Sequence, residues 1–301
     1  MPESLGRSPR LLSWLVALFL AFFLLVPFVG TAWKSLLQLD PAHPDTYGQF
    51  VGLQNYRALI TNEPEFKTSL LASAKFMGLA LLQCSLAFLL ALVFRSLWPN
   101  RLPLTLGFLL IFPQLLSPTI VALMGRLYLN DQFGIVTRLL RGLHIIGIND
   151  APLGNSAGAW FWMSIIDAWQ WVPFTALLFW LCLRLIPTKQ LEAARVDGLG
   201  KLILIRFVVL PNLLIPVTIV VLFRLMEALR AYDLPQTLTG GGPGVSTLMT
   251  SIYSTRITFN QQRFGMGAAH LILIEVVAYA LIMVLASRVK SLRGIIRKGV
   301  G

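Results

Sequence analysis

The chain has 301 residues, 56% of them hydrophobic and 13% charged, with a formal net charge of +12 and a mean hydropathy of +0.73. An ordinary soluble domain carries about 25% charged residues, and here the apolar residues come in blocks that approach the roughly 20 residues needed to cross a bilayer, so a soluble enzyme core is excluded. The basic excess does not point to nucleic acid, because Lys and Arg sit between or beside the apolar blocks and are not interleaved with aromatic residues on a polar background. Cys84 and Cys182 both fall inside apolar blocks and read as small packing residues. His43, His144 and His270 share no ligand spacing, so no metal site is expected.

Taken in chain order, the sequence predicts six spans: 11–33, 70–94, 104–127, 160–183, 207–229 and 267–287. Arg7 and Arg10 precede the first apolar run like a signal peptide, but no small-residue cleavage site follows it, so an uncleaved span is expected. Lengths near 20 residues favour helices, since every backbone polar group in lipid must be satisfied within the segment. Prolines at 27, 113, 118, 173, 211 and 216 fall in or beside these spans. One set of segments collects most of the bases: both termini, the turn around Arg95 and Arg101, and the 184–206 loop. The opposite set nearly balances its bases with Asp40, Asp45, Glu63, Glu65, Asp131, Asp150 and Asp233. Positive charge marks the cytoplasmic side, which places both termini and the 184–206 loop there. The opposite connections, 38–66, 128–159 and 230–266, are longer and contain turn signals such as "TGGGPG". With no repeat and no soluble domain, the expectation is one all-α integral membrane domain over 1–301.

The 184–206 loop carries an unusual polar stretch, "QLEAARVDGLGKLILIRFVVLP", from Gln190 to Pro211. Pro187 suits a first helical position, Gln190 to Val196 has good helix propensity, and Gly198 and Gly200 let the backbone bend sharply. The segment reads as a short helix, a turn and a second short helix. On physical grounds alone it either lies on lipid headgroups or receives a partner surface, to which Ala193 and Ala194 leave close access. "EAARVDG" followed by "VVLP" resembles the cytoplasmic loop signature of ABC-importer permeases: Glu-Ala-Ala, three residues, Gly, nine residues, Ile, one residue, Leu-Pro. Glu192, Ala193, Ala194, Gly198, Leu210 and Pro211 match it, and Val208 stands where the pattern has Ile. "FVGLQNYRALI" (50–60), "IFPQLLSPTIVALMGRLY" (111–128), "WQWVPF" (169–174) and "TLTGGGPGVST" (237–247) extend the resemblance to carbohydrate-importer permeases of the MalF-like type.

The resemblance implies a type I ABC importer permease with six transmembrane helices in the bacterial cytoplasmic membrane, and a cytoplasmic coupling helix seated on an ATPase through Glu192, Ala193, Ala194, Asp197, Gly198, Leu210 and Pro211. The implied partners are a second, homologous permease forming the other half of the path, two ATP-binding subunits, an extracellular or periplasmic solute-binding protein and membrane lipid. The large inserted periplasmic domain of the maltose transporter has no counterpart here. ATP and Mg are expected on the partner ATPases and no cofactor on this chain: "GLGKL" (198–202) lacks the upstream Gly and following Ser/Thr of a phosphate loop. This is the profile of a transport subunit without catalytic groups.

Polar groups inside spans are expensive and default to function. Asp167, Gln170, Trp171 and Phe174 fall on one stripe of the fourth span, and Arg224, Glu227, Ala228 and Ala231 on a similar stripe of the fifth. Carboxylate, amide, guanidinium and aromatic rings suit the hydroxyls and C–H faces of a sugar, and in the family the matching helices line the sugar site. Alternatively, Arg224 and Glu227 pair with each other at i, i+3 and the aromatics form an interfacial belt, to which Trp160 and Trp162 are assigned. Lys75 and Glu275 are read as structural charges that pair with each other, or Glu275 faces the partner permease. Ala74/Gly78 and Ala87/Ala91 are read as helix-packing pairs in the second span. Three function readings follow: a carbohydrate or polyol-glycoside permease; an ABC permease for another solute such as glycerol phosphate, an amino acid or an oxyanion; and a self-standing secondary transporter, for which no inverted repeat is visible.

Overall fold

The computed structural model describes residues 8–98, 102–186 and 210–298, and these are almost entirely helical. The candidate coupling residues Glu192, Ala193, Ala194, Asp197 and Gly198 lie outside the described residues, whereas Leu210 and Pro211 open a helix. The elements are α1 (Ser8–Lys34), α2 (Gln54–Asn62), α3 (Pro64–Leu97), α4 (Leu104–Leu115), α5 (Pro118–Tyr128), α6 (Ile135–Gly142), α7 (Ser156–Arg184), α8 (Leu210–Leu229), α9 (Asp233–Thr239), α10 (Thr250–Thr255) and α11 (Phe264–Lys298). A π-helical turn, Arg256–Asn260, follows α10. Five described helices, α1, α3, α7, α8 and α11, are long and apolar enough to cross a membrane. The sixth predicted span, 104–127, is not one rod. It is α4 and α5, bent by 84° at a short break, and counts as a span only if the pair is taken together.

Two compact units make up the chain, 1–64 with 254–276 and 65–253 with 277–301. In the first unit, α1 keeps its apolar side chains on the molecular surface from Leu12 to Val29, as a lipid-facing segment requires. Pro27 inside α1 cannot donate a backbone hydrogen bond, and the Thr31 hydroxyl donates to its carbonyl at 2.9 Å. The loop after α1 is held by α2. Buried Asn55 donates through Nδ2 to the carbonyls of Ser35 and Leu37, both at 2.9 Å. The Ser35 and Tyr56 hydroxyls are 2.7 Å apart. The first turn of α11 closes on the same loop: the Phe264 N–H donates to the Leu39 carbonyl at 2.9 Å. A methyl group on Gly265 would stand 2.2 Å from the Leu37 carbonyl oxygen, and one on Gly267 would stand 2.0 Å from the Thr258 hydroxyl oxygen of the π-helical turn. Only glycine permits either approach. Arg263 bonds Glu63 at 2.6 Å.

In the second unit, small residues bring long helices together. Ala87 and Ala91 of α3 and Ala176 of α7 are fully buried. They belong to one core with Cys84, Val172, Phe179, Trp180 and Leu183, to which Leu213 and Val220 of α8 add. The predicted pair Ala87/Ala91 therefore packs, whereas Ala74 and Gly78 face outward, and a methyl on Gly78 would meet nothing within 4 Å. The two faces of α3 diverge because the core stripe runs through Phe76, Ala80, Cys84, Ala87 and Ala91. The Ser73 hydroxyl of α3 accepts the Thr250 N–H at 3.0 Å, capping the start of α10. Around α6, Arg141 donates to the carbonyls of Asp131 and Asp150, at 2.7 and 3.0 Å, and so fastens the loops on both sides of the helix.

Candidate functional site

α7 starts at an Asn155 cap, whose side-chain oxygen accepts the Gly158 N–H at 2.8 Å. From there, helical spacing carries Trp160, Asp167, Gln170 and Trp171 along one side toward α3, α5 and α8. Trp160 is not a belt residue: it is 6% exposed, and its indole N–H donates to the Ser246 carbonyl at 3.0 Å. A Trp turned into the protein needs such an acceptor, and the loop after α9 supplies it.

Asp167 and Arg224 form a buried ion pair between α7 and α8, with their side chains 5% and 2% exposed. The same Arg224 nitrogen, Nη2, donates to the Gln83 Oε1 of α3 at 3.0 Å, and the guanidinium stands 4.6 Å from the centroid of the Trp171 ring. Arg224 is thus held by a carboxylate, an amide oxygen and an aromatic face from two other helices. The local pairing with Glu227 is not realised, and Glu227 is exposed. A buried ion pair repays its desolvation only when further hydrogen bonds complete it, and Gln83 is that completion. Sequence reading passed over Gln83, an amide within the apolar run of α3; the rule that flags polar groups inside spans points to it.

Gln170, 1% exposed, serves the break between α4 and α5. Its Nε2 donates to the Leu116 carbonyl at 2.8 Å and reaches the Pro113 carbonyl at 3.5 Å. At the break the Pro113 carbonyl accepts the Leu116 N–H at 3.4 Å, and Gln170 supplies the Leu116 carbonyl with a donor from α7. In an apolar surrounding each unpaired carbonyl is costly, so Gln170 makes the kink tenable.

These groups border a cavity of about 120 Å³. Its walls include Asp167, Gln170, Trp171, Arg224, Glu227 and Ala231, six of the eight residues assigned to the path from sequence. Phe174 and Ala228 are not in the wall. Phe174 backs Trp171 edge-on, with ring centroids 6.4 Å apart, and Ala228 is 1% exposed within the protein. The sequence reading missed Phe76 of α3, Pro118 at the break, and Arg230 and 232–234 around Ala231, where the chain turns from α8 into α9. These come from elements that no single helical stripe connects. Beside the Arg224–Asp167 pair the lining brings together the carboxylates of Glu227 and Asp233, the guanidinium of Arg230, the phenol of Tyr232 and the Trp171 ring, groups that can meet the hydroxyls and C–H faces of a sugar. No group of three or more His, Cys, Asp or Glu among the described residues could hold a metal.

Known proteins resemble the chain in sequence and in fold. The chain is 30% identical over 289 residues to the sulfoquinovosyl glycerol transport system permease protein SmoG of Agrobacterium fabrum, covering 93% of this chain and 89% of that protein. It is 33% identical over 268 residues to the trehalose/maltose transport system permease protein MalF of Thermococcus litoralis, covering 87% and 85%. Its fold matches a chain of a bacterial alginate ABC transporter solved in complex with a pentasaccharide-bound periplasmic protein, with a TM-score of 0.72 at 18% identity and 97% coverage of both chains. Residues 6–291 match one family profile. With its apolar helices, its broken span and its buried polar cluster, the chain belongs to the binding-protein-dependent transport system inner membrane components.

Proposed function

We propose that this chain is one of two permease subunits of an ATP-driven importer and forms half of the translocation path for a carbohydrate or polyol glycoside. The observation that carries this reading is the cavity bordered by α3, α5, α7 and α8, whose lining combines polar side chains with Trp171. The named solutes of the relatives, sulfoquinovosyl glycerol and trehalose or maltose, are of the same chemical class. The chain supplies no chemistry of its own. ATP and Mg act on two partner ATPases, a second permease completes the path, and a solute-binding protein delivers the cargo. Both termini and the 184–206 loop face the cytoplasm, following the positive-inside distribution. The Glu192–Gly198 segment is then the seat of the ATPase, with Glu192 as its polar anchor. Closure of the ATPases moves this segment and rocks the helices between inward- and outward-open arrangements, as packed two-state elements do.

Glycerol 3-phosphate is carried by another relative, the UgpA permease of Yersinia enterocolitica, 32% identical over 244 residues. Arg224 does not argue for such an anion here, because Asp167 already meets its charge. The test is uptake of a labelled panel of mono- and disaccharides, glycosylglycerols, glycosylglycerates and glycerol phosphate by cells with and without the chain. Chain-dependent uptake of a glycoside, lowered at least tenfold by Glu227→Ala, is expected. Uptake of no panel member, or full uptake by Glu227→Ala, overturns the reading.

A further inference from the structure

Another intramembrane cation of the second unit is bound differently from Arg224. Lys75 of α3 places its ammonium 4.1 Å from the centroid of the Trp160 ring. It pairs with no carboxylate among the described residues. Trp160 is itself buried and fixed by its bond to Ser246, so the ring is a rigid seat for the ammonium and is scarcely open to a ligand. Lys75 remains exposed. A charge within a span almost always meets a partner or a water-filled path. An aromatic face contributes attraction but no counter-charge.

The place of this pair matters as much as its charge. Trp160 and Trp171 lie about three turns apart on one side of α7, since eleven residues close almost a whole number of turns. Each ring carries a cation from a different helix: Lys75 of α3 on the first, Arg224 of α8 on the second. On α3, Lys75 stands about two turns from Gln83, which bonds Arg224. The α7 side therefore bears two cationic stations, one neutralised by Asp167 and one not.

We infer that Lys75, seated on Trp160, is the anion-reading position of the path: it takes a carboxylate, sulfonate or phosphate group of a glycoside, making that anionic class the preferred cargo. The inference rests on the transport reading above, in whose orientation the Lys75 station lies on the entry side of the Arg224 cluster. The ammonium offers donors to the oxyanion, and the exposed stretch of α3 beside it leaves room for the sugar. Snorkelling to a lipid phosphate is the competing use of a Lys this near a span end. The seat on a buried ring argues against it, because it turns the ammonium toward α7.

The test uses the intact assembly with its partners in nanodiscs, without nucleotide, and a matched pair of probes: glucosylglycerate, which is anionic, and glucosylglycerol, which is neutral and of nearly equal size. Binding is measured in phosphatidylcholine alone and in phosphatidylcholine with phosphatidylglycerol. The expected result is tighter binding of the glycerate glycoside by the wild type. Lys75→Gln should weaken that binding at least tenfold more than it weakens the neutral probe, Lys75→Arg should restore most of it, and both lipid mixtures should agree. Equal effects on the two probes overturn the inference. So does a Lys75→Gln effect that appears only with anionic lipid, which would make a headgroup the occupant. Binding of the neutral probe alone refutes the anion preference while leaving the transport reading intact. Binding of neither probe, with no uptake of any panel solute, takes down both.

Discussion

The residue that most constrains the second unit is Arg224. Its guanidinium joins α8 to α7 through Asp167 and to α3 through Gln83, and both partners of the ion pair are buried. Removing one partner of such a pair leaves an uncompensated buried charge, which costs about 3–5 kcal/mol. Asp167→Ala is therefore expected to lower the thermal midpoint of the purified assembly and its yield. The charge-exchanged double variant, Asp167→Arg with Arg224→Asp, should recover part of the loss, measured by thermal unfolding in detergent. A fall equal in the single and double variants would mean that the pair is not the source of the stability. At this scale the sequence told half the story. The intramembrane charges and the stripe on α7 were visible from spacing alone. The choice of partner was not, because Arg224 has Glu227 one turn away and Asp167 far away in sequence, and only tertiary packing selects between them.

At the scale of elements, prolines show what local pattern leaves open. Pro27, Pro173 and Pro216 each sit inside a continuous helix, whereas the stretch from Pro113 to Pro118 contains a bend of 84°. The residue type is the same in all of these places. The broken run has two prolines five residues apart, and Gln170 reaches from another helix to the Leu116 carbonyl at the bend, a contact that the 104–127 run alone does not reveal. The close approaches of α11 supply a test of their own. Gly267→Val would drive a branched side chain into Thr258, and overpacking of this kind costs about 1–3 kcal/mol. Faster proteolysis in the 254–276 segment is expected, with membrane insertion unchanged; wild-type resistance would show that the π-helical turn yields easily. The coupling segment gives a second test at this scale. Gly198→Trp should abolish uptake or capture of the ATPase while the chain still inserts, and normal uptake would remove Gly198 from the docking surface.

For the whole molecule, composition and the run of apolar blocks were enough to read a membrane protein of helical class, because lipid leaves so few backbone solutions. The two compact units were not legible, since each is defined by contacts between distant stretches of chain. The first of them has a consequence for biosynthesis. Its loop at 35–39, α2 and Glu63 emerge early, yet the groups that complete them, Phe264, Gly265 and Arg263, are made near the end. At about 5–20 residues per second, the roughly 200 residues from Glu63 to Arg263 keep the ribosome busy for about 10–40 seconds. Throughout that interval the segment around Asn55 waits half-built, open to proteases and chaperones. A chain halted after residue 250 should therefore be cut rapidly between 38 and 62 by an added protease, while the full-length chain resists, and quality control at this membrane would have its earliest chance to reject the subunit there.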